Sequence, residues 1–176
     1  MSAESPRGED AVLVAVQSVL AGRPGVLTGA RTLSHFGEHS AGWVGVSVLG
    51  ALLQPARRRA WLTAGIGAFL AHAAAVVIKR VVQRKRPNHP AISVNVGTPS
   101  QLSFPSAHAT STTTAAILLG RATGLPLPWI LVPPMALSRL VLGVHYPSDV
   151  LTGVVVGAAV AQSVDAVSHR TAKAQP

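Results

Sequence analysis

Cysteine is absent from all 176 residues. Its absence excludes disulfides, thiolate metal sites and any phosphatase chemistry that attacks through a thiolate, and it leaves the redox compartment undetermined. Acidic side chains are almost as scarce, being confined to Glu4, Glu9, Asp10, Glu38, Asp149 and Asp165. Hydrolases built on two metals or on magnesium draw on clustered carboxylates, which this chain can hardly supply. No spacing of histidine and carboxylate resembles a zinc site, so neither a metal nor a cofactor is expected. Aromatic residues make up 4% of the chain and are not interleaved with a continuous basic surface. The net charge of +9 therefore does not describe a nucleic-acid footprint. The N-terminus places Glu4, Glu9 and Asp10 beside a single Arg7 and lacks the basic start and cleavage site of a secretory leader, so no cleavage is expected.

Apolar residues, by contrast, are abundant: 48% of the chain is hydrophobic and 12% charged, with a mean hydropathy of +0.40. A bilayer is crossed by about 20 apolar residues, and charge-free stretches approaching that length recur between short basic loops. The expected fold is all-α, a polytopic transmembrane helix bundle with about five to six membrane helices in one domain spanning 1–176. The clearer segments run over about 41–53, 60–78, 107–120, 125–144 and 150–164. The segment 107–120 is short and carries Thr110, Ser111, Thr112, Thr113 and Thr114, whose hydroxyls can bond back to the preceding turn or face a protein interior. Residues 1–40 read as a polar start followed by short amphipathic or membrane-associated stretches interrupted by Gly22, Pro24, Gly25 and Gly29. The Gly153-x-x-x-Gly157 spacing permits close helix packing, either inside the chain or across the face of a homo-oligomer.

Three clusters carry chemistry. The first is Lys79, six intervening residues, then Arg86-Pro87, at the start of a long proline-containing loop of the kind that is commonly functional. Arginine offers a planar fork to phosphate oxygens and lysine a point charge. Read alone, the pair could equally be part of a basic flank that meets lipid head groups, as Arg80, Arg84 and Lys85 are expected to do. The second is Phe104-Pro105-Ser106-Ala107-His108, with proline suited to a first helical turn whose free amides would attract an anion. Here Ser106 is either a phosphate donor or a simple cap. The third is Ser138-Arg139, five residues, His145, three residues, Asp149. Pro147 favours a fresh helix, which places His145 in a tight turn and Asp149 in the first turn that follows. A carboxylate so placed can hydrogen-bond one imidazole nitrogen and free the other to attack. His72, alone inside an apolar segment, reads as a satisfied interior histidine.

Helical spans put Lys79, His108, His145 and Asp149 at one membrane face, with Arg57, Arg58, Arg59, Arg121, Arg170 and Lys173 at the other. The positive-inside rule leans toward an active site facing outward from the cell membrane.

Taken together, the clusters within 79–149 resemble the signature of the type-2 phosphatidic acid phosphatase superfamily in order and internal spacing. That resemblance implies a metal-independent membrane phosphatase. In it His145 is the nucleophile that forms a phosphohistidine, Asp149 orients it, and His108 protonates the leaving oxygen. Lys79, Arg86, Ser106, Ala107 and Arg139 would hold the phosphoryl group. The superfamily's second motif has glycine where this chain has Ala107, so the backbone must there be approached past a β-carbon. The small size and the run from Ser103 to Thr113 narrow the resemblance to members acting on a polyprenyl-linked phosphate substrate, a ribose carrying a terminal 5-phosphate in arabinan cell-wall precursor synthesis. A polyprenyl diphosphate or phosphatidate is the alternative substrate, and a non-catalytic membrane scaffold the alternative class.

Overall fold

The computed structural model describes residues 5–173, with side chains to residue 170; Glu4 and the Lys173 side chain lie outside that range. Seven α-helices follow one another: α1 (Gly8–Leu20), α2 (Val26–Gly37), α3 (Ala41–Leu53), α4 (Arg58–Val82), α5 (Ala107–Thr123), α6 (Leu127–Val141) and α7 (Pro147–Lys173). Apart from one isolated bridge between Lys85 and Leu102, no β-structure occurs among the described residues. The all-helical expectation holds.

The centre of the bundle is α5, which packs against α4, α6 and α7 and buries 12 of its 17 residues. A helix so rich in hydroxyls can be interior because most of them find a local or cross-helix partner, Thr113 being the exception. Thr110 Oγ1 donates to the Ser106 carbonyl (2.8 Å), and Thr114 Oγ1 to the carbonyls of Thr110 (3.1 Å) and Gly157 (2.8 Å). Thr112 Oγ1 accepts from the Trp43 indole at 3.0 Å. Close approach depends on glycine in α7: a β-carbon at Gly153 would lie 2.8 Å from the Ser106 carbonyl, and one at Gly157 would collide with that of Thr110. The small-residue spacing therefore serves packing within the chain. On α4 the inward positions are Ala64, Gly65, Gly67, Ala68, Ala71 and Ala75, whereas Ile66, Phe69, Val77 and Val81 are exposed. Small residues inside and large apolar ones outside is the arrangement of helices solvated by lipid.

Two stretches meet the length and hydropathy of a full crossing. The stretch Pro55–Val82 (28 residues, mean hydropathy 1.8) and α7 over Pro147–Arg170 (24 residues, 1.7) are long and apolar enough to cross a bilayer. Helices α3, α5 and α6 have 13, 17 and 15 residues, or about 20, 26 and 22 Å at 1.5 Å per residue, against a hydrocarbon core of about 30 Å. Proline and glycine punctuation at Pro55, Gly124 and Pro126 cuts the apolar runs short of a full crossing.

Within the polar start of residues 1–40, Gly8–Asp10 open α1, and both α1 and α2 pack against α6. The Gln17 amide stitches α1 to the long loop and the end of α6, donating to the carbonyls of Ser93 (2.7 Å) and Val141 (3.1 Å) and accepting from the Ser93 amide (3.0 Å). Between α2 and α3, Glu38–Ser40 form a single 3-10 turn in which His39 (φ 49°) and Ser40 (φ 61°) occupy the left-handed region. The Ser40 hydroxyl anchors this turn to the Ala68 carbonyl of α4 at 3.1 Å.

Candidate active site

The C-terminal end of α4, the loop 83–106, the start of α5 and the turn 142–146 meet at one end of the bundle around a cavity of about 450 Å³. The loop is ordered because it is pinned on several sides: Ser103 N–H donates to the Arg84 carbonyl (2.8 Å), Arg86 N–H to Gln101 (3.3 Å), and Asn95 N–H to Leu142 (3.0 Å).

Four cationic residues line this cavity, exposed Arg80 at its edge and Lys79, Arg86 and Arg139 further in. Lys79, 8% exposed, donates from Nζ to the carbonyls of Leu102 (3.1 Å) and Ser103 (2.8 Å). Arg86 donates to the carbonyls of Ser100 (2.8 Å) and Val144 (2.5 Å). Arg139, 2% exposed, donates to the hydroxyls of Ser138 and Ser34, both at 3.1 Å. Among the described residues none of the three has a carboxylate within 4.0 Å. Buried charge without a counter-charge is costly, so the cavity is prepared for an anion. Burial lowers Arg86 to about 10, with Asp149 and Glu38 opposing the shift, so the guanidinium keeps its charge at neutral pH.

His145 lies at the base of these cations, 3% exposed, with Nε2 3.2 Å from Arg86 Nη1. A guanidinium can only donate, so Nε2 is the acceptor nitrogen and the ring proton is assigned to Nδ1. Burial first, and then the charges of Arg86, Lys79 and Arg139, push the imidazole well below its ordinary pKa. It is accordingly neutral, and its one basic lone pair, on Nε2, accepts the Arg86 N–H. Nδ1 faces Asp149 Oδ2 at 3.7 Å and has no hydrogen-bond partner, so the expected hydrogen bond is an alignment awaiting about 0.7 Å of closure rather than a formed bond.

Asp149 is fully buried and is held from elsewhere. Its Oδ2 accepts from the Tyr146 amide (2.8 Å) and its Oδ1 from Arg84 Nη1 (2.9 Å). Arg84 was expected at the lipid surface with Arg80 and Lys85; instead it turns inward because two carboxylates and a ring receive it. Besides Asp149 it reaches Ser148 Oγ and Glu9 Oε2, each at 2.6 Å, and it stacks 4.1 Å over the Tyr146 ring. Glu9 Oε1 in turn accepts from the Ser148 amide at 2.8 Å. Burial would raise the Glu9 carboxyl, but the Ser148 amide and Arg84 outweigh it and hold it below the usual range.

At the start of α5 the residues separate into two roles. Ser106 is fully buried and does not line the cavity; its hydroxyl caps the helix by accepting from the Ala109 amide at 3.4 Å, and its own amide donates to the Asp149 carbonyl at 2.9 Å. Of the two expected roles, the hydroxyl fills that of the cap here. Pro105 precedes this cap rather than occupying the first turn. Ala107 and His108 do line the cavity, at the turn where α5 leaves its first amides without helical partners. His108 Nε2 donates to the Ser34 carbonyl at 2.9 Å, tying the ring to α2.

The sequence pattern of the PAP2 superfamily matches residues 60–171, well over half of the chain. The chain belongs to the PAP2 superfamily. It is 78% identical over 150 residues, covering 85% of this chain and 83% of the relative, to the decaprenylphosphoryl-5-phosphoribose phosphatase of Mycolicibacterium smegmatis. It is 69% identical over 167 residues to the enzyme of the same name from Mycobacterium tuberculosis, covering 95% and 94% of the two chains. Two crystal structures share its fold at 19% identity. The transmembrane PAP2-type phosphatidylglycerolphosphate phosphatase from Bacillus subtilis has a TM-score of 0.69 over 91% of this chain and 86% of that one. LpxE from Aquifex aeolicus has 0.65 over 88% and 92%.

Part of this PAP2 cavity escaped sequence reasoning. Ser34, Glu38, His39 and His72 line it beside the expected residues. His72, expected to be a satisfied interior group, has a buried Nδ1 without a partner and stacks edge-on to His39, ring centroids 5.6 Å apart. His72 and Lys79 share one face of α4 through their i, i+7 spacing, which was a usable signal. Glu38 and His39 offered none, since they lie far from the motifs and reach the cavity through the fold. Arg57, Arg59 and Arg121 line a separate cavity with Asp165, built from other parts of α4, α5 and α7.

Proposed function

We propose that this chain is a metal-independent lipid phosphatase that removes a terminal phosphate from a polyprenyl-linked sugar. The observation that carries the reading is the convergence of buried Lys79 and Arg139 and half-buried Arg86, none with a carboxylate within 4.0 Å among the described residues, around a neutral imidazole. Lys79, Arg86 and Arg139, with the amides at Ala107 and His108, receive the phosphoryl oxygens, and Ser106 acts by capping that turn. His145 Nε2 attacks phosphorus as the P–O bond to the leaving alcohol breaks, giving a phosphohistidine. His108, whose Nε2–H is committed to Ser34, takes up a proton from solvent at Nδ1 once the anionic phosphate group is bound and delivers it to the departing oxygen. Water then attacks the phosphohistidine with His108 taking its proton back, which releases phosphate and restores the imidazole. Asp149 orients His145 and stabilises the charge its ring acquires.

The close relatives' names support decaprenylphosphoryl-5-phosphoribose as the substrate and decaprenylphosphoryl ribose as the product, in arabinan precursor synthesis. The whole chain is one domain, with its catalytic residues within 79–149. The two full-length spans and the lipid-suited exterior support a multi-pass membrane protein, with α3, α5 and α6 completing five or six membrane helices in a locally thinned bilayer. The basic residues at the far ends of the spans favour a site on the outer face.

The test is phosphate release by purified protein, in the presence of chelator, from decaprenylphosphoryl-5-phosphoribose, a polyprenyl diphosphate and phosphatidate, with His145→Ala as the blank. Preference for the sugar phosphate is expected. Chelator-sensitive or variant-insensitive release would overturn the mechanism, and preference for either other lipid would overturn the substrate.

A further inference from the structure

The cavity is chemically divided. Its deep side carries Lys79, Arg86 and Arg139, which suit a phosphoryl group, whereas its other wall, formed where α2 passes into α3, carries Glu38, the sole carboxylate in the lining. A carboxylate repels phosphate, and its ordinary partners are N–H and O–H donors. Among the described residues Glu38 has an ion pair within 4.0 Å only with His39, Nε2 to Oε1 at 3.7 Å, and keeps 34% of its side chain exposed, so its acceptor capacity is largely unspent although its charge is felt by Arg86. Facing it from α4, His72 adds a ring whose Nδ1 is buried and unpartnered.

Two features place this wall against the reacting groups. A β-carbon at Gly37 would lie 2.6 Å from His108 Cδ2, so the residue before Glu38 already touches the His108 ring, while the Ser34 carbonyl one turn earlier holds that ring's Nε2. The turn itself is strained, with two consecutive non-glycine residues in the left-handed region, a conformation that persists where surroundings over-determine it and that clusters at ligand sites. Here the strain is what aims Glu38 and His39 into the cavity instead of letting α2 run on into α3.

We propose that Glu38, with His39 and His72, forms a hydroxyl-binding subsite that recognises the polyol of the phosphorylated headgroup, the carboxylate accepting from adjacent sugar hydroxyls while the phosphate sits on the three cations. This rests on the phosphatase reading above and deepens it, because it makes the headgroup, rather than the lipid tail, the source of discrimination. A site built to hydrogen-bond hydroxyls rejects analogues lacking them strongly, since its own buried polar groups are then left unpaired. Among the described residues no group of three histidines and carboxylates is arranged to hold a metal ion, which leaves a hydrogen-bonding role for this set.

The experiment compares wild type, Glu38→Gln and His72→Phe on decaprenylphosphoryl-5-phosphoribose, its 2-deoxy analogue and phosphatidate, reading kcat/KM for each. The expected result is a wild-type preference for the ribose compound over phosphatidate that falls about tenfold or more in Glu38→Gln, with the 2-deoxy analogue losing the benefit in wild type but not in the variant. A preference retained in both variants would overturn the subsite while leaving the phosphatase reading intact. A wild type that prefers phosphatidate would overturn the subsite together with the assigned substrate. Equal losses on all three substrates in Glu38→Gln would also overturn it, since that pattern describes damage to the phosphate cradle.

Discussion

Arg84→Met tests whether the interior ion-pair network, and not only the motif residues, supports turnover. The substitution keeps an apolar stem over Tyr146 but deletes three hydrogen bonds: to Ser148 at 2.6 Å, Asp149 at 2.9 Å and Glu9 at 2.6 Å. Asp149, fully buried, is then left with the Tyr146 amide at 2.8 Å. A hydrogen bond to a charged group contributes about 1.5–3 kcal/mol. Arg84 keeps 30% of its side chain exposed, so solvent screening places the loss near the middle of that range, about 2 kcal/mol. At about 1.4 kcal/mol per decade, kcat should fall roughly 30-fold if an ionised, correctly aimed Asp149 is needed in the transition state. KM should move little, because Arg84 is not among the residues lining the cavity. Arg84→Lys restores charge without the two-pronged fork and should recover part of the loss. The assay is steady-state phosphate release in detergent micelles, with circular dichroism as the check on folding. A folded Arg84→Met protein with wild-type kcat would refute the network's role, and a change confined to KM on anionic vesicles would return Arg84 to the lipid surface.

Further outcomes follow from the same geometry. His145→Ala should reduce phosphate release to background while leaving the helical circular dichroism spectrum unchanged; normal turnover would end the histidine-nucleophile reading. Arg86 is one of the charges that keep His145 unprotonated, so Arg86→Met should move the acid limb of kcat/KM toward higher pH, besides weakening phosphate binding. The substrate's own ionisation is common to both enzymes and cancels in the difference; an unmoved or lowered limb would contradict the assignment. Gly157→Val forces a side chain onto the Thr110 carbonyl and should destabilise the bundle by about 1–3 kcal/mol, whereas Gly29→Ala, which meets nothing within 4 Å, should cost nothing in the same denaturation series. Equal stability of the two variants would show that α5 and α7 do not pack through Gly157.

Much of the architecture was legible because membrane-type helices announce themselves through composition. The segment 41–53 coincides with α3, and the segments at 60–78, 107–120 and 150–164 fall within α4, α5 and α7. The helix start expected at Pro147 is that of α7, since proline is a good first-turn residue, whereas the segment drawn to 144 overran α6, which stops at Val141, just ahead of Gly143 at φ 69°. Hydropathy does not distinguish a helix that meets lipid from one enclosed by other helices, as α5 is.

The candidate site divides along the same line. Helix parity put Lys79, His108 and His145 at one face, and the superfamily resemblance added Arg86 and Arg139; the fold places all five on one cavity. Sequence could not tell that Ser106 would face inward as a cap, that Arg84 would leave the surface for Asp149, or that Glu9 would complete that network from 140 positions away in the chain. Nor could it place Glu38 and His39, whose side chains enter the cavity through a left-handed turn anchored to Ala68. Short-range pattern determines which residues are chemically able and which end of a helix they occupy. Which partners share a cavity is decided by long-range packing, where a single carboxylate or guanidinium goes to whichever buried counter-charge the tertiary fold brings within about 3 Å.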